Sequence, residues 1–67
     1  MKTSYFTFGQ NHAHSVNGIT FDKDTLVKVV AEKPREVMVK HFGIKWAFEY
    51  DEPPDQRFWP RGMVELQ

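Results

Sequence analysis

The chain has 67 residues, no cysteine, and nine basic residues balanced by nine acidic ones, so its formal net charge is zero. Length confines it to one domain, 1–67, and a chain this short buries roughly 60% of its unfolded surface, which favours support from a partner or a second copy. Neutrality argues against a basic nucleic-acid clamp, and the missing thiols remove disulfides, Cys-based zinc sites and thiol nucleophiles. With 40% apolar and 15% aromatic residues a folded core is expected. No apolar run approaches a membrane span and no signal-peptide core opens the chain, which points to a soluble protein of the cytoplasm.

Taken in order, Ser4–Phe8 alternates, with Phe6 and Phe8 on one face and Tyr5 and Thr7 on the other, and predicts a strand closed by Gly9. Gln10–Gly18 is polar and predicts a loop, ending in Asn17-Gly18, a dipeptide suited to a type I′ hairpin turn. Ile19–Phe21 can leave that turn as a short strand, before Asp22-Lys23-Asp24 interrupts it. Thr25–Glu32 is the clearest strand. Val27, Val29 and Ala31 share one face, and Leu26 and Val30 make the other partly apolar, which suits a central position.

Pro34 then changes the period. Its missing N–H is harmless in a first helical turn, and Glu36 favours the helix dipole. Val37, Met38, His41 and Phe42 form an inner stripe, and Gly43 closes a helix over 34–42, with Ile44 expected to pack back on Val39. Ile44–Tyr50 returns to strand, with Trp46, Phe48 and Tyr50 assigned to the covered face. Asp51–Asp55 cannot continue a sheet because of Pro53 and Pro54. Gln56–Gly62 reads as irregular, and Met63–Leu66 as a short last strand.

The expected fold is therefore a single small α+β domain. Its sheet has three to four strands, mostly antiparallel, and one short helix covers one face. Phe6, Phe8, Val27, Val29, Ala31, Trp46, Phe48 and Tyr50 are the expected sheet side of the core.

Candidate chemistry is sparse. His12 and His14, two apart in an extended loop, project to one side as a metal pair would. Completing the set needs Asp22, Asp24 or His41, and His41 is assigned to the core, so no metal or other cofactor is expected. No triad spacing, nucleophile elbow, HExxH helix or phosphate-cradling glycine loop occurs, and no catalytic residue is assigned. Phe58 and Trp59 lie outside any regular period, flanked by Arg57 and Arg61 and stiffened by Pro60. Trp and Arg dominate interface hot spots. Arg57, Phe58, Trp59 and Arg61 are therefore the first candidates for partner binding, with His12 and His14 of the His12–Gly18 loop ranked second. Trp59 has an equally good role sealing an open edge of the core. Tyr5, Lys28 and Lys45 offer a different reading, a nucleic-acid or nucleotide site on the uncovered sheet face, although Glu49, Asp51, Glu52 and Asp55 crowd the nearby aromatics with negative charge.

The opening Tyr5-Phe6-Thr7-Phe8-Gly9-Gln10, the His14–Gly18 loop, Met38, Phe42-Gly43, Lys45-Trp46-Ala47-Phe48 and Tyr50 together resemble a family of small uncharacterised tailed-bacteriophage proteins. The likeness covers about two-thirds of the chain; the Lys33-Pro34 helix start and the segment after Tyr50 depart from it. It implies a non-enzymatic phage accessory protein, acting in the host cytoplasm by binding and inhibiting or redirecting a host protein or defence complex. A homodimer through an open sheet edge is compatible with that role.

Overall fold

A computed structural model describes residues 1–9, 13–16, 18–43, 46 and 48–66. The described elements are β1 (Lys2–Thr7), β2 (His14–Val16), β3 (Ile19–Phe21), β4 (Thr25–Ala31), α1 (Pro34–Phe42), β5 (Phe48–Tyr50), a 3₁₀ turn at Gln56–Phe58 and β6 (Gly62–Leu66). The fold is α+β: a four-stranded mixed sheet in the order β5-β1-β4-β6, a separate β2-β3 hairpin, and one helix. No helix among the described residues is long and apolar enough to cross a membrane.

β1 runs antiparallel to β4 and to β5, while β6 lies parallel to β4. Two crossovers follow from this topology. β4 reaches β5 through α1 in one direction across the sheet, and β5 reaches β6 through 51–61 in the opposite direction. Right-handed crossovers travelling in opposite directions place their connections on opposite faces. The helix takes the face carrying Phe6, Val27 and Val29, which leaves the 51–61 connection for the other.

The helix-side core joins Phe6, Phe8, Phe21, Val27, Val29, Met38 and Phe42, all buried, with Val16, Ala31, Val37, Trp46, Val64 and Leu66 partly buried against them. Phe42 is the hub of its aromatic part. It packs edge-on at 5.0 Å from Phe8 and 5.1 Å from Phe21, so the β2-β3 hairpin is held to the helix through Phe21. Trp46 meets Phe6 edge-on at 5.0 Å.

Four expectations need correction. The 10–18 segment is not all loop, since His14–Val16 pairs with Ile19–Phe21. Gly18 has φ +80°, as the expected turn requires at that position, while Asn17 lies outside the described residues. His41 is exposed, because the buried row of α1 is Pro34, Met38 and Phe42, a narrower stripe at i, i+4, i+8. Phe48 and Tyr50 do not line the helix-side core; Phe48 is 63% exposed, and the two pair with Thr7 and Tyr5 on the opposite face. Finally, β5 begins at Phe48, so Trp46 precedes it and its burial does not set the parity of the strand.

Glu49 consequently takes the helix side, beside Phe6 in register. It is tolerable there because Arg35 of the first helical turn donates Nε–H to its Oε1 at 2.6 Å. Burial pushes the Glu49 carboxyl upward, but the hydrogen bonds from Arg35 and Ser4 and the charges of Arg35 and Lys2 outweigh it and hold the carboxyl below its ordinary range. The expected packing of Ile44 on Val39 lies outside the described residues.

Candidate interaction surface

Leu26 is fully buried yet belongs to the face away from the helix, beside Met63 in register and outside the helix-side cluster. Its burial requires a cover, and the handedness of the crossovers assigns the 51–61 connection to that face. That segment is braced internally and tied to the β3–β4 turn at its C-terminal end. Asp55 accepts the Arg57 N–H at 3.0 Å and starts the 3₁₀ turn; Gly62 N–H donates to the Trp59 carbonyl at 3.0 Å and closes a turn with Pro60 at its second position. The Trp59 indole N–H donates to the Pro54 carbonyl at 2.9 Å, bridging the segment internally. Arg61 N–H donates to the Asp24 carbonyl at 3.0 Å, and Arg61 Nε stands 3.3 Å from Asp22 Oδ2. Asp22 in turn holds its own bend, accepting the Asp24 N–H on Oδ1 at 2.9 Å.

These bonds sort the four candidates of the segment. Trp59 is half-buried with its polar atom satisfied inside the segment, and Arg61 is committed to the β3–β4 turn; both hold the segment in place. Arg57 and Phe58 are exposed, and the Arg57 guanidinium lies 5.0 Å from the centre of the Phe58 ring. Phe58 is 56% exposed and borders a cleft of about 330 Å³ with Thr7, Phe8, Lys23, Phe48, Tyr50 and Pro54. The rings of Phe48 and Tyr50 stand 6.3 Å apart on its sheet side. Phe48 and Tyr50 are the members that sequence reasoning missed: the alternation of 46–50 is visible, but its parity places these two rings beside Phe58 instead of under the helix.

The second candidate loop divides. His12 lies outside the described residues, and His14 is a half-buried β2 residue whose ring approaches Phe42 at 5.5 Å and Phe8 at 5.7 Å. His14 thus flanks the aromatic core through Phe42 and Phe8. Among the described residues no group of three His, Cys, Asp or Glu converges on a metal-sized site.

For the nucleic-acid reading, Tyr5 and Lys28 are cross-strand neighbours on the face away from the helix, but both are half-buried there, so the face is not the open one expected. Lys28 is also opposite Glu65 in the β4–β6 register, which sets a carboxylate beside the one described cation of that trio. Lys45 lies outside the described residues. Comparison with protein-family models, with curated proteins and with solved structures found no match to this chain.

Proposed function

We propose that this chain acts by binding another protein rather than by catalysis, and that the binding surface is the aromatic patch of Phe48, Tyr50 and Phe58 with Arg57 at its rim. The observation that carries the reading is that Phe58 stands 56% exposed on a segment braced by hydrogen bonds and by the Arg61–Asp22 ion pair, across a shared cleft from Phe48, which is 63% exposed on β5. Large apolar rings held in water by a pre-organised backbone lose little entropy on docking, which is how interface anchors gain affinity. The Arg57 guanidinium over Phe58 adds the second residue type favoured at such anchors. The resemblance of Tyr5–Gln10, the His14–Gly18 loop and the 35–50 segment to tailed-phage proteins supports a bacterial host protein or defence complex as the partner, with the chain modulating it.

The test is capture from host lysate with wild type and Phe58→Ala in parallel, each treated with nuclease and high salt. One stoichiometric protein that survives both treatments and is lost with Phe58→Ala is the expected result. A capture indifferent to Phe58→Ala, or one consisting of nuclease-sensitive nucleic acid, overturns the reading in favour of the Tyr5 and Lys28 face.

A further inference from the structure

The two edges of the main sheet are treated differently. β5 is three residues long and runs into Asp51, Glu52, Pro53 and Pro54, which stop any neighbour from extending along it. β6 is five residues long, has no proline, lysine or arginine within it, and among the described residues pairs on one side only, with β4. Its side chains are left half-finished on both faces: Met63 is 47% exposed, and Val64 and Leu66 are only partly buried. A strand of this kind presents free backbone donors and acceptors together with uncovered apolar rows.

We propose that β6 pairs antiparallel with β6 of a second copy of this chain, about a two-fold axis at Val64, to give one continuous eight-stranded sheet. Register and charge select this arrangement. A two-fold on Val64 sets Gly62 opposite Leu66 and Met63 opposite Glu65, pairs all five residues of the strand, and brings no like charges together. A two-fold on Glu65 would place the two Glu65 carboxylates face to face, and one on Met63 would pair only Gly62–Val64 within the strand. The Val64 axis also sets the half-buried Val64 against its own symmetry mate, and the half-buried Leu66 against Gly62 of the second copy. The surface is separate from the Phe58 patch, so the dimer and the partner-binding reading stand or fall independently.

Sedimentation velocity on the 67-residue chain, from micromolar to millimolar, tests the proposal with two single substitutions at the exposed Met63. The wild type is expected to pass from monomer to twice the monomer mass as concentration rises. Met63→Glu puts a carboxylate opposite Glu65 of the second copy twice per dimer and is expected to weaken association about tenfold. Met63→Lys places an ammonium there instead and is expected to leave association intact or tighten it at low salt. Circular dichroism establishes that both variants keep the fold. A wild type monomeric at every concentration overturns the proposal. So does equal weakening by both substitutions, the result a two-fold on Met63 would give, or a dimer abolished by Phe58→Ala.

Discussion

Replacing Leu26 by alanine tests whether the 51–61 connection is a true second layer or merely passes over the sheet. Leu26 is fully buried on the face away from the helix, so its loss leaves Val27, Val29 and the helix-side core untouched. The substitution removes three carbons, at about 0.8 kcal/mol each, or about 2.4 kcal/mol of transfer free energy. A residual cavity raises the cost to about 3 kcal/mol. A 67-residue domain has about 3–10 kcal/mol in total, so the loss is a large fraction and the urea midpoint moves accordingly. Because Leu26→Ala can exhaust that stability, Leu26→Val, costing about 1 kcal/mol, is measured beside it. Urea unfolding followed by circular dichroism and by Trp fluorescence reads both. A cost under about 1 kcal/mol for Leu26→Ala, with unchanged cooperativity, would mean that the cover is loose and the outer face wet, and would refute the two-layer account.

Other expectations follow from the same bonds. Trp59→Phe keeps the ring but deletes the N–H that reaches the Pro54 carbonyl, and is expected to cost about 1 kcal/mol in the same unfolding assay. Gly62→Ala meets no atom within 4 Å, yet Gly62 sits at φ +100°, so its cost of about 1–2 kcal/mol is backbone strain, and a structure of the variant should show a shifted turn and no steric clash. Glu49 titrates lower in the folded chain than in the unfolded one. Its contribution is therefore complete above the unfolded value of about 4.3 and is lost as pH falls through the folded one. Glu49→Gln should flatten that acid limb while costing about 0.5–1 kcal/mol at pH 7, as measured by urea midpoints across pH.

Local signals made most of the fold legible. Pro34 and Gly43 bracket the helix because one lacks a donor the first turn does not need and the other reaches φ +65°, and the helix occupies Pro34–Phe42 as expected. Alternation located β1 and β4 for the same kind of reason. What local pattern could not supply was which face of β5 turns inward. Trp46, Phe48 and Tyr50 alternate by two, and hydrophobicity alone sends all three to the core. The choice is made by a residue far away in the chain: Arg35 offers Glu49 a partner on the helix side, fourteen residues upstream. Phe21 is illegible for a related reason, since a three-residue strand carries no periodicity of its own and Phe21 is buried through ring contacts with the distant Phe42 and Phe8. The cleft depended on both features, because it assembles from β5 and from a segment with no regular period.

The 51–61 segment combines two demands that usually conflict, covering a buried leucine and presenting rings to water. It does so by alternating roles along five residues. Arg57 and Phe58 point outward, Trp59 turns back to the Pro54 carbonyl, Pro60 shapes the turn, and Arg61 clamps Asp22. Alanine substitutions along this segment should therefore separate into two classes. Trp59→Ala and Arg61→Ala loosen the segment, so binding and stability fall together, with the Arg61 effect under about 1 kcal/mol because its ion pair is largely solvated. Arg57→Ala and Phe58→Ala leave the urea midpoint within about 0.5 kcal/mol of wild type, while Phe58→Ala weakens binding by at least about 2 kcal/mol. Were stability and affinity to fall in proportion at all four positions, the exposed rings would be part of the cover, and the division of labour along the segment would be wrong.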